Sequence, residues 1–249
     1  MAARPPAKRP PTPHGGHGNL AELAYDRLEE LIVTCDLKPG LLLSIQDLQM
    51  RTGLGRTPTH QAVSRLASDT LIVIRPRHGL RIAPIDLARE RTLVQLRRSL
   101  ERFVTRLAAE RCGASERNQF VHIARLLRDD AQAMTIDVFN RLDRRIDRLL
   151  LQAAGEPFLE HTLRPLHTLF RRTGWIYHNH VRPQEGLART IECHLSILDA
   201  VAANRVREAV AAADQLVGFS DSMFDALGDG IDPALFDCAA EIPPDERAA

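Results

Sequence analysis

Residues 53–62, taken with their flanks, constrain the fold of this chain more than any other stretch. Gly53-Leu54-Gly55-Arg56-Thr57-Pro58-Thr59-His60-Gln61-Ala62 reads as a tight turn leading into a helix. Pro58 suits a first helical turn, where a backbone N–H has no helical partner to lose, and Thr57 is placed to cap that end with its hydroxyl. Arg56 then stands at the end pointing toward whatever the helix enters. Upstream, Ile45, Leu48 and Met50 mark a short apolar-periodic segment. Downstream, Leu71-Ile72-Val73-Ile74 and Arg75-Pro76-Arg77-His78-Gly79-Leu80-Arg81-Ile82 read as two short strands joined by a basic turn. Helix, turn, helix and a hairpin tipped with Arg, His and Gly is the order of a winged helix-turn-helix, whose second helix (here near Thr57 to Ser68) enters a DNA major groove.

Overall charge neither supports nor opposes DNA binding. The 249 residues include 33 Lys and Arg against 32 Asp and Glu, so any attraction to phosphates must be local. Arg51, Arg56, Arg65, Arg75, Arg77 and Arg81 do fall in or beside the expected module. Arg141, Arg144, Arg145 and Arg148 cluster far from it, so the order of motifs decides rather than arginine density. Cys35, Cys112, Cys193 and Cys238 form no C-x-x-C pair, which points to reduced thiols rather than a zinc ribbon or disulfide framework. No apolar run approaches the roughly 18 residues that span a bilayer. The amino terminus (Arg4-Pro5-Pro6, Lys8-Arg9-Pro10-Pro11) is basic, proline-rich and without an apolar signal region. Residues 1–18 are expected to be a disordered arm, and the protein to be cytoplasmic with no membrane partner. G-x-S-x-G, H-E-x-x-H and phosphate-loop patterns are absent, so an enzyme is not expected.

After the wing the pattern changes. From Asp86 onward apolar residues recur every three or four positions. One stripe runs Leu93, Leu96, Leu100, Phe103, Val104, Leu107, with Gly113 as its terminator. A second holds Phe120, Ile123, Leu126 and Leu127, with Ser115 as cap. A third runs from Ile136 to Ala153 and stops at Gly155 before Pro157. A fourth spans Phe158 to Trp175. Two more lie around Leu187–Ala202 and Val206–Phe224, with Asn204 as a cap between them. Six helices with short breaks predict an all-α antiparallel bundle over 85–228, following a winged helix-turn-helix over 19–84. An acidic tail, 229–249, is left without secondary structure.

Leu20 to Pro84 resembles the DNA-binding domain of the GntR family of bacterial transcription regulators. The likeness rests on Ala24-Tyr25 with Leu28 and Ile32, Leu37-Lys38-Pro39-Gly40, Leu43, Leu48, Gly53, Arg56-Thr57-Pro58, Ala62, Leu66 and Arg77-His78-Gly79. Where that family usually carries an acidic-Arg-acidic run, Ile45-Gln46-Asp47 stand here. Thr59-His60-Gln61 replace its usual Val-Arg-Glu, so operator preference does not carry over. Residues 90–225 resemble the FCD effector domain of the FadR subfamily, through Arg98-x-x-Glu101, Leu107-Ala108-Ala109, Asp143-x-x-x-Asp147, Ala154-Gly155-x-Pro157, and His194 with Leu198 and Ala200.

That resemblance implies a homodimer on a near-palindromic operator of double-stranded DNA, contacted by Gln46, Arg56, Thr57, His60, Arg77, His78 and Gly79. It also implies a small-molecule carboxylate effector met by Arg98, Asp143, Asp147 and His194. Many such domains hold a divalent metal ion with an Asp, a His four residues on and two later histidines. Here the first Asp is Asp143, Asp147 stands in place of the His, His194 takes the third place and Leu216 falls near the fourth, with His178 and His180 as imidazoles of no fixed assignment. Asp143 and Asp147 lie in a row that continues apolar as Leu150 and Ala154, and enclosed carboxylates need a cation, a donor or a proton. A metal, an internal ion pair and a solvated acidic face all stay open, as does a helical half that only dimerises. Arg171, Arg172, Trp175, Tyr177 and His178 form a basic-aromatic cluster suited to a pocket mouth. His161 and His167 receive no role.

Overall fold

Ser44 and Asp47 cap each other at the start of a short helix, and the geometry of the amino-terminal unit follows from that point. The computed structural model describes residues 16–229 and 231–240. Its first unit runs α1 (Gly16–Val33), β1 (Leu42–Leu43), α2 (Ile45–Thr52), α3 (Arg56–Ser68), β2 (Ile72–Arg75) and β3 (Gly79–Ile82). The Ser44 hydroxyl accepts from the Asp47 N–H, while the Asp47 carboxylate accepts from the Ser44 N–H at 2.7 Å, a reciprocal capping box. Gly53, at φ 65°, ends α2 in the left-handed conformation that a side chain disfavours. The N-cap of α3 is Gly55, with no side-chain cap. Thr57 therefore caps nothing. The helix starts at Arg56, and Thr57 sits exposed in its first turn.

Thr59, Ala62, Val63 and Leu66 turn inward from α3 onto Ala24, Tyr25, Leu28 and Ile32 of α1. The wing has three strands rather than two, in the order β1-β3-β2 and all antiparallel. Only Gly fits at position 79: φ is +83°, and a Cβ there would lie 2.8 Å from the Leu43 carbonyl oxygen.

The second unit is all-α: α4 (Leu87–Arg111), α5 (Ala114–Asp129), α6 (Ile136–Ala154), α7 (Pro157–Ile176), α8 (Ala188–Ala202) and α9 (Val206–Gly228). Phe120, Ile123, Phe139, Ile146, Leu163, Leu198 and Val217 lie in its core. Gly113 is not a terminator but the N-cap of α5, which puts Ser115 inside that helix. Asn204 caps between the last two helices, as expected, by closing α8. It lies at φ +54°, its N–H reaches the Val201 carbonyl, and the Arg205 N–H reaches Ala200, the paired bonds of a Schellman ending. The inward face of α4 keeps Val104 and Leu107 of the expected stripe but takes Val94, Arg97 and Glu101 in place of Leu96 and Phe103, which are 48% and 43% exposed.

Charged side chains close the seam between the units. Tyr25 of α1 lies between two guanidiniums, that of Arg65 from α3 at 4.3 Å and that of Arg164 from α7 at 4.0 Å. Glu29, only 1% exposed, accepts from Thr168 and faces Arg164 at 3.4 Å and Arg144 at 3.6 Å. Arg172, fully buried, donates to the Ala83 carbonyl at 2.8 Å and stands 3.6 Å from buried Glu90. Leu169 of α7 completes the amino-terminal core.

The expected arm over 1–18 gives way to helix at Gly16, and residues 1–15 lie outside the described range. In the expected tail, 231–240 form two short 3₁₀ turns that return to the seam. Asp237 pairs with Arg81 at 2.6 Å, the Cys238 N–H donates to Pro39, and the Ile85 N–H donates to Phe236. Residues 241–249 lie outside the described range.

Candidate functional site

Two surfaces carry chemistry. The first is the outer side of α3 with the wing tip. Burial of positions 59, 62, 63 and 66 turns Arg56, Thr57, His60, Gln61 and Ser64 toward solvent. Gln46 is exposed in the first turn of α2, and Arg75, Arg77, His78 and Gly79 are exposed at the turn of the wing. Arg77 holds φ +67°, an uncommon conformation for a residue with a side chain. Among the described residues, none of the side chains of Gln46, Arg56, Thr57, His60, Arg77 or His78 makes a hydrogen bond or ion pair. Gln61 and Ser64 were absent from the expected contact set, although the helical period counted from Thr57 reaches both.

The second is a cavity of about 60 Å³ enclosed by α4, α6, α7, α8 and α9. Asp143 and Asp147 enter it from α6, four residues apart and so on one face. His194 enters from α8. The structure brings these three together, as the sequence suggested, and leaves Arg98 out. Arg98 lies one residue round α4 from the wall and faces Asp214 of α9. Arg97 takes the place on the wall, its Nε 3.3 Å from Glu101. Leu216 lines the cavity as an apolar residue, and His178 lines it with Nε2 3.0 Å from the Thr190 hydroxyl.

The residue that organises the cavity is Arg171 of α7, whose side chain is 3% exposed. Its Nε donates to Asp143 Oδ2 at 2.8 Å, and its Nη2 donates to Asp147 Oδ2. His194 donates from Nε2 to Asp143 Oδ1 at 2.9 Å and from Nδ1 to the Thr190 carbonyl at 2.7 Å. Both of its ring nitrogens face acceptors, which fits the doubly protonated form. His167, unassigned from sequence, does the same, with Nε2 2.8 Å from Glu101 and Nδ1 3.2 Å from Asp147.

The ionisation preferences follow from these pairs. Burial opposes charge on Asp143, but Arg171 and His194 outweigh it, so its carboxyl sits well below the usual range. Burial also opposes charge on Asp147, and there it prevails, with the Asp143 charge adding to it, so that carboxyl is pushed up to about 6. Glu101 is held at about 2, because His167 and Arg97 overcome its burial. Both imidazoles are raised: burial disfavours their protons, but Asp147 and Glu101 hold that of His167, and Asp143 holds that of His194. With both imidazoles doubly protonated, four cations (Arg97, His167, Arg171, His194) face three carboxylates (Glu101, Asp143, Asp147). Asn140 adds a buried Nδ2 donor with no partner among the described residues.

This donor set does not fit a divalent metal ion. Three of the four Asp oxygens already accept from cationic donors, Asp143 Oδ1 from His194, Asp143 Oδ2 from Arg171, and Asp147 Oδ2 from Arg171 with the His167 ring 3.2 Å away. A metal ligand must offer a free lone pair, and the His194 nitrogens are both engaged as donors. Among the described residues no three His, Cys, Asp or Glu side chains converge as a metal set. In the structure Asp143, Asp147 and His194, the expected metal group, meet as an ion-pair cluster around Arg171.

Comparison with known proteins places both halves. Residues 20–82 match the bacterial regulatory proteins of the gntR family, and residues 92–219 match the FCD domain. The HTH-type transcriptional repressor RspR of Escherichia coli (strain K12) is 30% identical over 177 residues, which cover 71% of this chain and 76% of that protein. An HTH-type transcriptional regulator in an unstable DNA locus of Streptomyces ambofaciens is 31% identical over 77 residues, 31% of this chain and 33% of that one. Among solved structures, E. coli McbR/YncC superposes with a TM-score of 0.73 at 17% identity, covering 84% of this chain and 99% of that chain. A GntR transcriptional regulator from Rhodococcus sp. RHA1 gives 0.60 at 17% identity, covering 86% and 100%. At that identity the structures speak for the fold alone. The families and the sequence relatives are transcription regulators, not enzymes.

Proposed function

Because the chain belongs to the GntR family of bacterial regulators and carries an FCD domain, we propose that it binds a near-palindromic operator as a homodimer and responds to a small organic acid held in the α4–α9 cavity. This groups it with the FadR subfamily and sets its work in the cytoplasm, where the DNA is. No described helix is long and apolar enough to cross a membrane.

The observation that carries the proposal is the solvent-facing row Arg56, Thr57 and His60 at the start of α3, with Arg77 and His78 at the wing, all without side-chain partners among the described residues. Donors at a helix start suit base edges and phosphates. Selection of bound duplexes from a random DNA pool tests it. A short inverted repeat with steeply salt-dependent affinity is expected, and equal affinity for every sequence would overturn it. Repeating the selection with single carboxylic acids tests the effector. The surplus of cationic groups and the unpartnered Asn140 amide favour an anion there.

The displaced stripe on α4 supports the homodimer. Leu96 and Phe103 lie seven residues apart on one exposed face, with Leu93 and Leu100 half-buried beside them, and an apolar stripe of this kind suits a second copy of the chain. Charging it with Leu96→Glu and Phe103→Glu together is expected to give monomers in sedimentation. Operator affinity should then fall toward the non-specific level, roughly 1,000-fold or more below a specific complex. A dimer that persists with full affinity would move the interface elsewhere.

One observation favours a second reading, in which the helical half only dimerises. The cavity holds about 60 Å³, against the roughly 150 Å³ of a cavity that admits benzene, and three of its four Asp oxygens already accept from cationic side chains. A flat thermal-shift response to a panel of carboxylic acids would favour that reading, whereas a saturable rise with one of them would exclude it.

A further inference from the structure

Asp143 and Asp147 carry the spacing of a metal pair, and their burial demands a positive partner. We infer that Arg171 is that partner, a cation built into the chain, and that the cavity is thereby closed to the divalent metal its carboxylate spacing invites. The inference concerns the effector cavity of the proposed regulator but holds or fails independently of operator binding.

Geometry supports it on four counts. The Arg171 fork bridges both acids, from Nε to Asp143 and from Nη2 to Asp147, so it occupies the position from which one ion would reach both. Its side chain is 3% exposed. A metal taking its place would leave a guanidinium buried without its carboxylates, the costly half of a broken ion pair. The imidazole on the far side is also committed, since His194 spends Nε2 on Asp143 and Nδ1 on Thr190. Leu216 supplies no donor.

The exchange alters what a ligand meets. A metal would offer open coordination positions to a carboxylate. Arg171 and Arg97 offer N–H groups instead, alongside the unpartnered Nδ2 of Asn140. A ligand of this cavity is then recognised by hydrogen bonds from fixed donors, which favour planar, bidentate anions.

The test begins with the wild-type protein purified without chelator. Elemental analysis is expected to find no stoichiometric Zn, Mn or Ni, and the melting temperature is expected to stay unchanged with EDTA, ZnCl₂ or MnCl₂. Arg171→Ala should melt several degrees lower and recover with millimolar methylguanidinium or with Zn²⁺, neither of which shifts the wild type. Adding Asp143→Ala to that variant should abolish both rescues. About one equivalent of divalent metal in the wild type, lost on Asp143→Ala, would overturn the inference. So would an Arg171→Ala protein that is as stable as the wild type and indifferent to both cations. Should Arg171→Ala not fold, the wild-type metal content and its EDTA response decide alone. Failure of the operator selection would leave all these results standing, so the two readings fail separately.

Discussion

Glu29→Ala is expected to destabilise the protein by roughly 3 kcal/mol, the lower end of the 3–5 kcal/mol that removal of one partner from a buried ion pair costs. Glu29 is the single buried acid of α1 at the seam, facing Arg164 and Arg144 while accepting the Thr168 hydroxyl. Arg164 keeps Glu22 at 2.7 Å and Asp26 at 2.6 Å after the change, which limits the loss. Arg144 keeps only a 3.4 Å bond from Nη1 to the Asp26 carbonyl, and its buried Nε, 3.6 Å from Glu29, has no hydrogen bond among the described residues. Glu29→Gln keeps an acceptor for Thr168 and should lose less. Chemical denaturation monitored by circular dichroism checks both. A change for Glu29→Ala inside the ±0.5 kcal/mol typical of surface positions would show that the seam does not depend on this residue.

Arg56→Ala should separate binding from stability. Arg56 is the first residue of α3, exposed and without a side-chain partner among the described residues, so the unfolding free energy should move by no more than about ±0.5 kcal/mol. Operator affinity should fall about 10- to 100-fold, the 1–3 kcal/mol of a bidentate base contact. Fluorescence anisotropy with the selected operator and a scrambled duplex reads the difference. A loss confined to the selected operator assigns Arg56 to a base edge. An equal loss on both, with the salt slope reduced by about 1, assigns it to a phosphate. Unchanged affinity on both would remove the start of α3 from the interface.

The helices of this protein were legible from sequence because their apolar residues keep a period, and α6 and α7 begin and end within a residue or two of expectation. The third wing strand was not legible. Leu42–Leu43 is too short to show alternation, and it is a strand only because β3 lies beside it. The face of α4 was misplaced for a different reason. Periodicity assigns leucines inward and charges outward, whereas Arg97 and Glu101 satisfy each other inside and Leu96 and Phe103 face out. In the cavity, Asp143, Asp147 and His194 were visible as chemical types. Their partner Arg171 was visible only as part of a basic cluster, because its pairs span 28 and 24 residues between two helices and leave no local pattern. His167 was missed on the same grounds, its acids lying on α4 and α6.

The stretch 236–238 has a consequence for how the molecule is made. Its bonds to Pro39, Arg81 and Ile85 tie the last described turns to β3 and to turns flanking the wing, synthesised some 150 residues or more earlier. A chain leaving the ribosome can fold its amino-terminal unit early, since domains tend to form in order of emergence. During that interval the back of β3 lacks its clasp. The reading head is finished only when translation reaches Cys238, so a truncated product would display the α3 row on an unlatched wing.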